Sequence, residues 1–230
     1  MMRRLAFLAG ALIAAGAPVA VPAAAAEAAP TGDWSKRVEA TAEGGFRMGN
    51  PDAPLKLVEF LSLTCRHCAD FADEAMPRVK EKVREGRVSV EYRNYVLNHY
   101  DIAAAILSRC AAPANYFALT EAFLAEQGVW AEKIDALTPA QRAEVEVPPT
   151  PATMKRIAEL LGLKAIAARH GVTRASADAC LADPRRIQQL LAMGNAAEQL
   201  GIDGTPSFML NGTVIGSQNW DSLEPVLGQP

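Results

Sequence analysis

The sequence has few of the features that mark several classes of protein. Its 230 residues include three histidines and four cysteines, and its 23 basic and 26 acidic residues are interspersed, giving a net charge of −3. There is no basic block and no basic patch interleaved with aromatics, so no nucleic-acid partner is expected. After the N-terminal segment, no apolar run approaches the ~20 residues of a membrane-spanning helix. The chain is nevertheless 50% hydrophobic, which is enough to form a core without cross-links.

The N-terminal segment has the pattern of a secretory signal peptide. Two arginines precede an apolar stretch at 5–17, and small residues fill 21–26. Glycine and proline interrupt the apolar stretch, which is also short for a retained membrane anchor. We therefore expect residues 1–26 to be cleaved and the mature chain to be exported to the periplasm. Cysteine pairs can persist there as disulfides.

Hydrophobic periodicity predicts a βαβ unit next. The apolar run at 55–63 is typical of a strand buried on both faces, and a helical pattern starts at Cys65. Pro77 should kink that helix. An alternating segment at 87–97 predicts a second strand, parallel to the first. The preceding residues, 27–54, are rich in alanine, glycine and proline and are expected to form a loosely ordered lead-in.

Helical spacing then continues for about ninety residues, with a proline-rich hinge at 146–151. Pro184 is placed to begin a further helix. Two short strands flank Asn211-Gly212, a strong hairpin signal, and a last helix is expected near 219–227. The fold class is therefore α/β, a central mixed sheet flanked by helices with an inserted all-helical subdomain. The predicted parts after the signal peptide are 27–97 and 187–230 for the sheet domain and 98–186 for the insertion.

Cys65 and Cys68 stand two residues apart directly after the buried strand. This spacing fits a metal clip, a structural cross-link or a redox-active pair. A tetrahedral zinc site needs four ligands, and no second closely spaced pair follows, so no metal is expected. A purely structural bond is disfavoured because closing so short a loop removes little chain entropy.

The position of Cys65 favours the redox interpretation. A cysteine at a helix start faces unpaired backbone N–H groups and the positive end of the helix dipole, which stabilise the thiolate. The dipole contributes at most about 2 kcal/mol, so a large pKa depression needs further neighbours. We expect the side chains of Arg66 and His67, between the two cysteines, to be the neighbours that lower the pKa of Cys65 further.

The segments "EFLSLTCRHC" and "GTPSFMLNG", with the βαβ unit and the helical insertion, resemble the DsbA-like thiol oxidases of the thioredoxin-fold family. The resemblance implies that Thr205-Pro206 is a cis bond beside the cysteines, where substrates bind. It implies that Glu59 is a buried acid that moves protons for Cys68. It also implies that the insertion caps the active face and helps form a substrate groove. The chain departs from the DsbA pattern at Arg66, where a proline usually stands.

Cys110 and Cys180 lie about 70 residues apart in the insertion, on apolar helix faces. They could be two separate buried thiols that pack as small hydrophobes. The exported setting and the even number of cysteines favour a structural disulfide between them, outside the catalytic cycle.

These features predict an exported thiol–disulfide oxidoreductase that donates its Cys65–Cys68 disulfide to reduced substrate proteins. It would be monomeric, need no cofactor and be re-oxidised by a membrane-bound partner. A disulfide reductase or isomerase on the same fold is the close alternative. A periplasmic protein that binds Cu(I) through Cys65, His67 and Cys68 is another, since soft thiolates favour Cu(I).

Overall fold

A computed structural model describes residues 32–228, so the predicted signal peptide lies outside the described residues. The described part contains one six-stranded sheet with strand order β1-β2-β4-β3-β5-β6. The strands are β1 (Val38–Ala40), β2 (Phe46–Gly49), β3 (Leu55–Leu61), β4 (Val88–Asn94), β5 (Ser207–Leu210) and β6 (Thr213–Gly216). Only β3 and β4 pair in parallel. The predicted mixed sheet is confirmed.

Helices cover both the sheet domain and the insertion. The α-helices are α1 (Arg66–Glu74), α2 (Met76–Arg84), α3 (His99–Ser108), α4 (Tyr116–Ala125), α5 (Gln127–Asp135), α6 (Pro139–Val145), α7 (Pro151–Leu160), α8 (Leu163–Arg169), α9 (Arg174–Ala182), α10 (Pro184–Gln199) and α11 (Trp220–Leu227). Within the described residues, none of them is long and apolar enough to cross a membrane.

The βαβ unit is present as predicted. β3 and β4 run parallel in register from Leu55 opposite Val88 to Leu61 opposite Asn94. The connecting helix is divided in two at Ala75, and Pro77 occupies the first turn of α2. Proline cannot continue the hydrogen-bond ladder of a helix, which accounts for the break.

The prediction that residues 27–54 form a loosely ordered lead-in is wrong for residues 32–54, the part of this segment that the structure describes. β1 and β2 lie within it and extend the sheet, with Phe46 paired to Tyr92 of β4. The side chains of Phe46 and Met48 are buried in the core. These strands are only three and four residues long, too short for alternation to stand out from a background of alanine and glycine.

The insertion is built from helices, as predicted, but individual helices begin and end at residues other than those expected. α5 and α6 follow α4 in a region where no separate helices were predicted. The hinge at 146–151 separates α6 from α7, and Thr150 caps α7 through its hydroxyl. Cys110 lies in a turn after the end of α3, and not on the helix as expected.

The C-terminal part follows the predicted pattern closely. Asp183 caps α10, which begins at Pro184. Asn211 (φ 49°) and Gly212 (φ 85°) form the hairpin turn, where both residues adopt left-handed backbone angles. α11 begins after its cap, Asn219.

The two faces of β3 belong to different environments. Val58 and Phe60 point to a small apolar cluster that includes Ala197 of α10. Leu57 and Leu61 point to the main core, which is continuous with the helical insertion. Because side chains alternate along a strand, Glu59 faces this main core as well.

Candidate active site

Cys65 occupies the junction between the central strand and the helix that follows. β3 ends at Leu61, residues 62–64 form a short loop, and Cys65 is the N-cap residue of α1 with extended backbone angles. No side chain caps this helix, so its first N–H groups face the Cys65 sulfur. The backbone N–H groups of His67 and Cys68 lower the pKa of this thiol through hydrogen bonds.

The two cysteines are free thiols in unequal surroundings. Cys65 is 9% exposed and Cys68 is fully buried one turn inside α1. The thiol of Cys68 hydrogen-bonds the Cys65 sulfur, and this contact is the largest cause that lowers the pKa of Cys65 to about 5. Burial raises the pKa of Cys68 far above its ordinary value. At neutral pH the outer sulfur is therefore a thiolate and the inner sulfur a thiol.

Arg66 and His67 were expected to lower the pKa of Cys65 through their side-chain charges, but those charges are not among the causes that lower it. Both side chains are exposed, and His67 approaches only Asp70, at 3.9 Å between Nδ1 and Oδ2. The thiol of Cys68, Thr205 and the first N–H groups of α1 are the groups that lower the pKa of Cys65. Exposed charges act weakly through water, whereas these short contacts are partly desolvated.

Thr205 and Pro206 lie directly against Cys65. Their peptide bond is cis, and β5 starts with the next residue, Ser207. The Cys65 Sγ donates to the backbone carbonyl of Thr205 at 3.2 Å when it carries its proton. Thr205 is also among the groups that lower the pKa of Cys65.

Glu59 lies beneath the cysteine pair. β3 is an interior strand, between β4 and β5, and Glu59 is 1% exposed. Burial, and then the charges of Glu121 and Cys65, raise the pKa of Glu59 well above its ordinary value. The charge of Glu59 in turn raises the pKa of Cys68. The carboxyl group is thus placed to hold a proton beside the inner sulfur.

Two further charged residues near Glu59 were not found from the sequence. Glu121, on α4, forms an ion pair with Lys80 of α2. Burial raises the pKa of Glu121, while Lys80 lowers it in part. The available signal was a single charge within the otherwise apolar stretch "YFALTEAFLA" at 116–125. That signal gives no partner, because Lys80 is 41 residues away along the chain.

A cavity of about 450 Å³ adjoins Pro206. It is lined by α1, the cis-proline segment and the residues that lead into α11, namely His67, Asp70, Phe71, Glu74, Pro206, Ser217, Gln218, Asn219 and Ser222. None of these residues belongs to the helical insertion, which the resemblance implied would help to form a substrate groove. The insertion contacts the site through the strand–helix loop.

The other two cysteines are joined. Cys110 and Cys180 form a disulfide with 6.1 Å between their Cα atoms, linking the turn after α3 to α9. Both ends of the bond lie in the helical insertion. Among the described residues, no group of three or more histidine, cysteine or acidic side chains is placed to hold a metal ion.

Comparison with known proteins agrees with this architecture. A family model described as thioredoxin matches residues 41–228. The chain belongs to the thioredoxin family. Among solved structures, a protein-disulfide isomerase from Novosphingobium aromaticivorans is 33% identical with a TM-score of 0.76, and the match covers 81% of this chain and 97% of that one. The α-DsbA1 of Wolbachia pipientis, with 23% identity and a TM-score of 0.63 over 79% of this chain and 88% of that one, shares the fold.

Two curated relatives of this chain are proteins of Rickettsia. A protein of Rickettsia bellii named protein-disulfide oxidoreductase is 26% identical over 188 residues, which is 80% of this chain and 64% of that protein. A Rickettsia conorii protein of the same name is 27% identical over 76% of this chain and 56% of that protein. The chain thus spans about three fifths of the length of the curated relatives it matches.

Proposed function

We propose that this chain is an exported thiol:disulfide oxidoreductase that introduces disulfides into reduced substrate proteins. One observation carries the proposal: Cys65, with a pKa of about 5, stands over the buried thiol of Cys68. A thiolate that is stable at neutral pH is a good leaving group, and it favours the reduced form of the pair. The names of the Rickettsia and Novosphingobium relatives support the reaction class.

The geometry supports a two-step exchange. A substrate thiolate attacks the Sγ of Cys65 in the oxidised protein, the Cys65–Cys68 bond breaks, and Cys68 leaves with the electron pair and takes up a proton. Glu59 is placed to give that proton. A second substrate thiolate then attacks the substrate sulfur of the mixed disulfide and expels Cys65 as a thiolate. Two substrate thiols lose two electrons, and the cysteine pair gains them.

Substrate contact, cellular location and partners extend the proposal. Thr205 and Pro206 lie next to Cys65, where a substrate segment would pair with their backbone. Cleavage of residues 1–26 would release the mature protein to the periplasm as a monomer. A membrane-bound oxidant would restore the disulfide. No resident cofactor is required, because the cysteine pair itself carries both electrons.

A stoichiometric reaction tests the proposal. The oxidised protein is mixed with a reduced peptide that contains two cysteines, and both are analysed by mass spectrometry. We expect one peptide disulfide per protein molecule, with new thiols at Cys65 and Cys68 only. Cys65→Ser and Cys68→Ser should each abolish the reaction. Peptide left reduced by the wild-type protein would refute the proposed activity.

A disulfide isomerase is the second candidate, supported by the printed name of the 33%-identical Novosphingobium structure. An isomerase works from its reduced state and reshuffles wrong bonds without net oxidation. Incubating the reduced protein with scrambled ribonuclease separates the two candidates. Recovery of nuclease activity with the reduced protein, together with failure to oxidise the peptide, would favour the isomerase.

A further inference from the structure

Two buried side chains of the insertion hold the loop between β3 and α1, and the first of them is Asp101. Asp101, in the first turn of α3, accepts a hydrogen bond from the backbone N–H of Leu63 at 2.9 Å through Oδ1. Its other oxygen, Oδ2, accepts from the N–H of Leu97 at 3.0 Å. Asp101 is fully buried. One carboxylate thus ties the redox loop to the segment that follows β4.

Gln127 holds the opposite side of the same loop. It begins α5, and its Nε2 donates to the carbonyl of Leu63 at 2.8 Å and to the carbonyl of Cys65 at 3.0 Å. Gln127 is 9% exposed. One turn later, the indole N–H of Trp130 donates to the carbonyl of Phe123 at 2.8 Å, which fixes α5 against α4. Both polar groups of the Leu63 backbone are therefore paired with insertion side chains.

Asn98 also donates to the Thr64 hydroxyl at 2.9 Å, while two other backbone N–H groups of the loop are satisfied locally. The N–H of Thr64 bonds the Ser62 hydroxyl at 3.1 Å, and the N–H of Cys65 bonds the Ser62 carbonyl at 3.3 Å. Local bonds of this kind define the turn but do not fix its position relative to the rest of the molecule. The bonds from Asp101 and Gln127 span 38 and 64 residues, so they fix that position.

We propose that Asp101 and Gln127 are positioning residues for thiol exchange, which hold the Leu63–Cys65 backbone so that the Cys65 sulfur meets the first turn of α1 and the Thr205 segment. The inference rests on the proposed oxidoreductase function and deepens it. It gives the helical insertion a role at the redox centre that acts through the backbone.

A measurable consequence follows from the length of the contacts involved. The groups that stabilise the Cys65 thiolate act only within hydrogen-bond distance and with good alignment. If the loop moves by a fraction of an ångström, these contacts weaken and the pKa of Cys65 returns toward its ordinary value. Each unit of pKa corresponds to about 1.4 kcal/mol, or tenfold in the ionisation equilibrium.

The experiment compares Asp101→Ala, Asp101→Asn and Gln127→Leu with the wild type. The pKa of Cys65 is measured in each reduced protein from thiolate absorbance and from the pH profile of alkylation. We expect Gln127→Leu to raise it by about one unit, which lowers the alkylation rate near pH 5 about fivefold. Both Asp101 variants also remove a charge of the same sign as the Cys65 thiolate, which by itself lowers the pKa of Cys65, so they are compared with each other. Asp101→Ala should give a higher Cys65 pKa than Asp101→Asn, because only the amide oxygen still accepts one of the two backbone bonds.

Ser108→Ala is the matched control. Ser108 is fully buried on the same helix as Asp101, and its hydroxyl donates to the carbonyl of Ala105 and not to the loop. Its loss should lower the stability of the insertion but leave the pKa of Cys65 unchanged. If Gln127→Leu behaves like Ser108→Ala, and Asp101→Ala gives the same Cys65 pKa as Asp101→Asn, the positioning role is overturned.

The outcome is separable from that of the proposed function, because alkylation of Cys65 needs no substrate protein. Peptide oxidation by the wild type with an unmoved Cys65 pKa in the variants rejects only the inference. A shifted pKa in the variants without peptide oxidation by the wild type rejects only the function. If an Asp101 variant is too unstable to assay, the uncharged change Gln127→Leu decides.

Discussion

At the scale of single residues, the chemistry of the site depends on how differently the two thiols, Cys65 and Cys68, are buried. Cys65 and Cys68 differ by position in one helical turn, and their pKa values move in opposite directions. Glu59 is a carboxyl group in an apolar core, where the ionised form is costly unless it is paired. Each group is thereby held in the protonation state that disulfide exchange requires.

The buried carboxyl group gives a pH-dependent prediction. Because the pKa of Glu59 is raised in the folded state, the folded protein binds more protons than the unfolded chain above the ordinary pKa of 4.5. Stability therefore falls as the pH rises through this range. Glu59→Gln should remove part of this slope and stabilise the oxidised protein by about 1–3 kcal/mol at pH 8. Urea unfolding at pH 5 and pH 8 measures both quantities.

The control for this prediction is Asp73→Asn, which removes an exposed carboxylate on α1. It should leave the slope of stability against pH as it is in the wild type. The oxidised protein is used because neither cysteine of the pair then titrates. A slope that is equal in Glu59→Gln and the wild type would contradict a protonated Glu59 in the folded state.

The sequence was sufficient to nominate Cys65 and Cys68 from a local pattern, and Glu59 and Pro206 through the resemblance to DsbA-like proteins. It was not sufficient for Asp101 and Gln127. Their partners are backbone groups of the Leu63–Cys65 segment, and backbone groups leave no trace in residue identity. The same limit applies to the causes of the low Cys65 pKa. Arg66 and His67 are conspicuous in the sequence, whereas the groups that act, besides the predicted N–H groups of the helix start, are the Cys68 thiol and Thr205, a residue 140 positions away.

At the scale of secondary-structure elements, prediction succeeded where local signals were strong. The hairpin at Asn211, the cap at Asp183 and the parallel pair β3–β4 all follow from short-range chemistry. β1 and β2 were missed because their order comes from strand pairing, of β2 with β4 and of β1 with β2. A strand of three or four residues has no stability of its own and is defined by its neighbour.

The insertion gives a prediction at this scale. The Cys110–Cys180 bond closes a loop of 70 residues between the turn after α3 and α9. In the chain-entropy model such a loop contributes up to about 4 kcal/mol, and measured values are usually smaller. Cys110→Ala combined with Cys180→Ala should therefore lower the melting temperature by several degrees. The rate of peptide oxidation at 25 °C should stay within about twofold of the wild-type rate, because neither cysteine takes part in the exchange.

Differential alkylation checks the same bond independently. Mild reductant should expose thiols at Cys65 and Cys68 first, and those at Cys110 and Cys180 only under stronger conditions. An unchanged melting temperature in the double variant, with exchange lost, would reverse the assignment of the two pairs. It would then be the insertion bond that carries electrons.

At the scale of the whole molecule, the chemistry of the site is linked to folding. Because the pKa of Cys65 is about 5 in the folded reduced protein and about 8.5 in an unfolded chain, folding is favoured more strongly as the pH rises between these values. Burial of Cys68 acts in the opposite direction only above its ordinary pKa, where the unfolded thiol ionises. The oxidised protein has neither contribution. The short Cys65–Cys68 loop adds little entropy to set against them.

The reduced protein should therefore unfold at a higher temperature than the oxidised one at pH 7, and the gap should widen from pH 5 to pH 8. Each 1 kcal/mol corresponds to roughly 2–4 °C for a chain of this size and to about 20 mV in the potential of the pair. Calorimetry of both redox forms measures the gap, with the Cys110–Cys180 bond kept intact by mild reduction. In Cys65→Ser, which cannot close the active-site disulfide, the same treatment should leave the melting temperature unchanged. A more stable oxidised form would mean that the disulfide is the favoured state of the pair, and the chain would then work as a reductase rather than as a donor of disulfides.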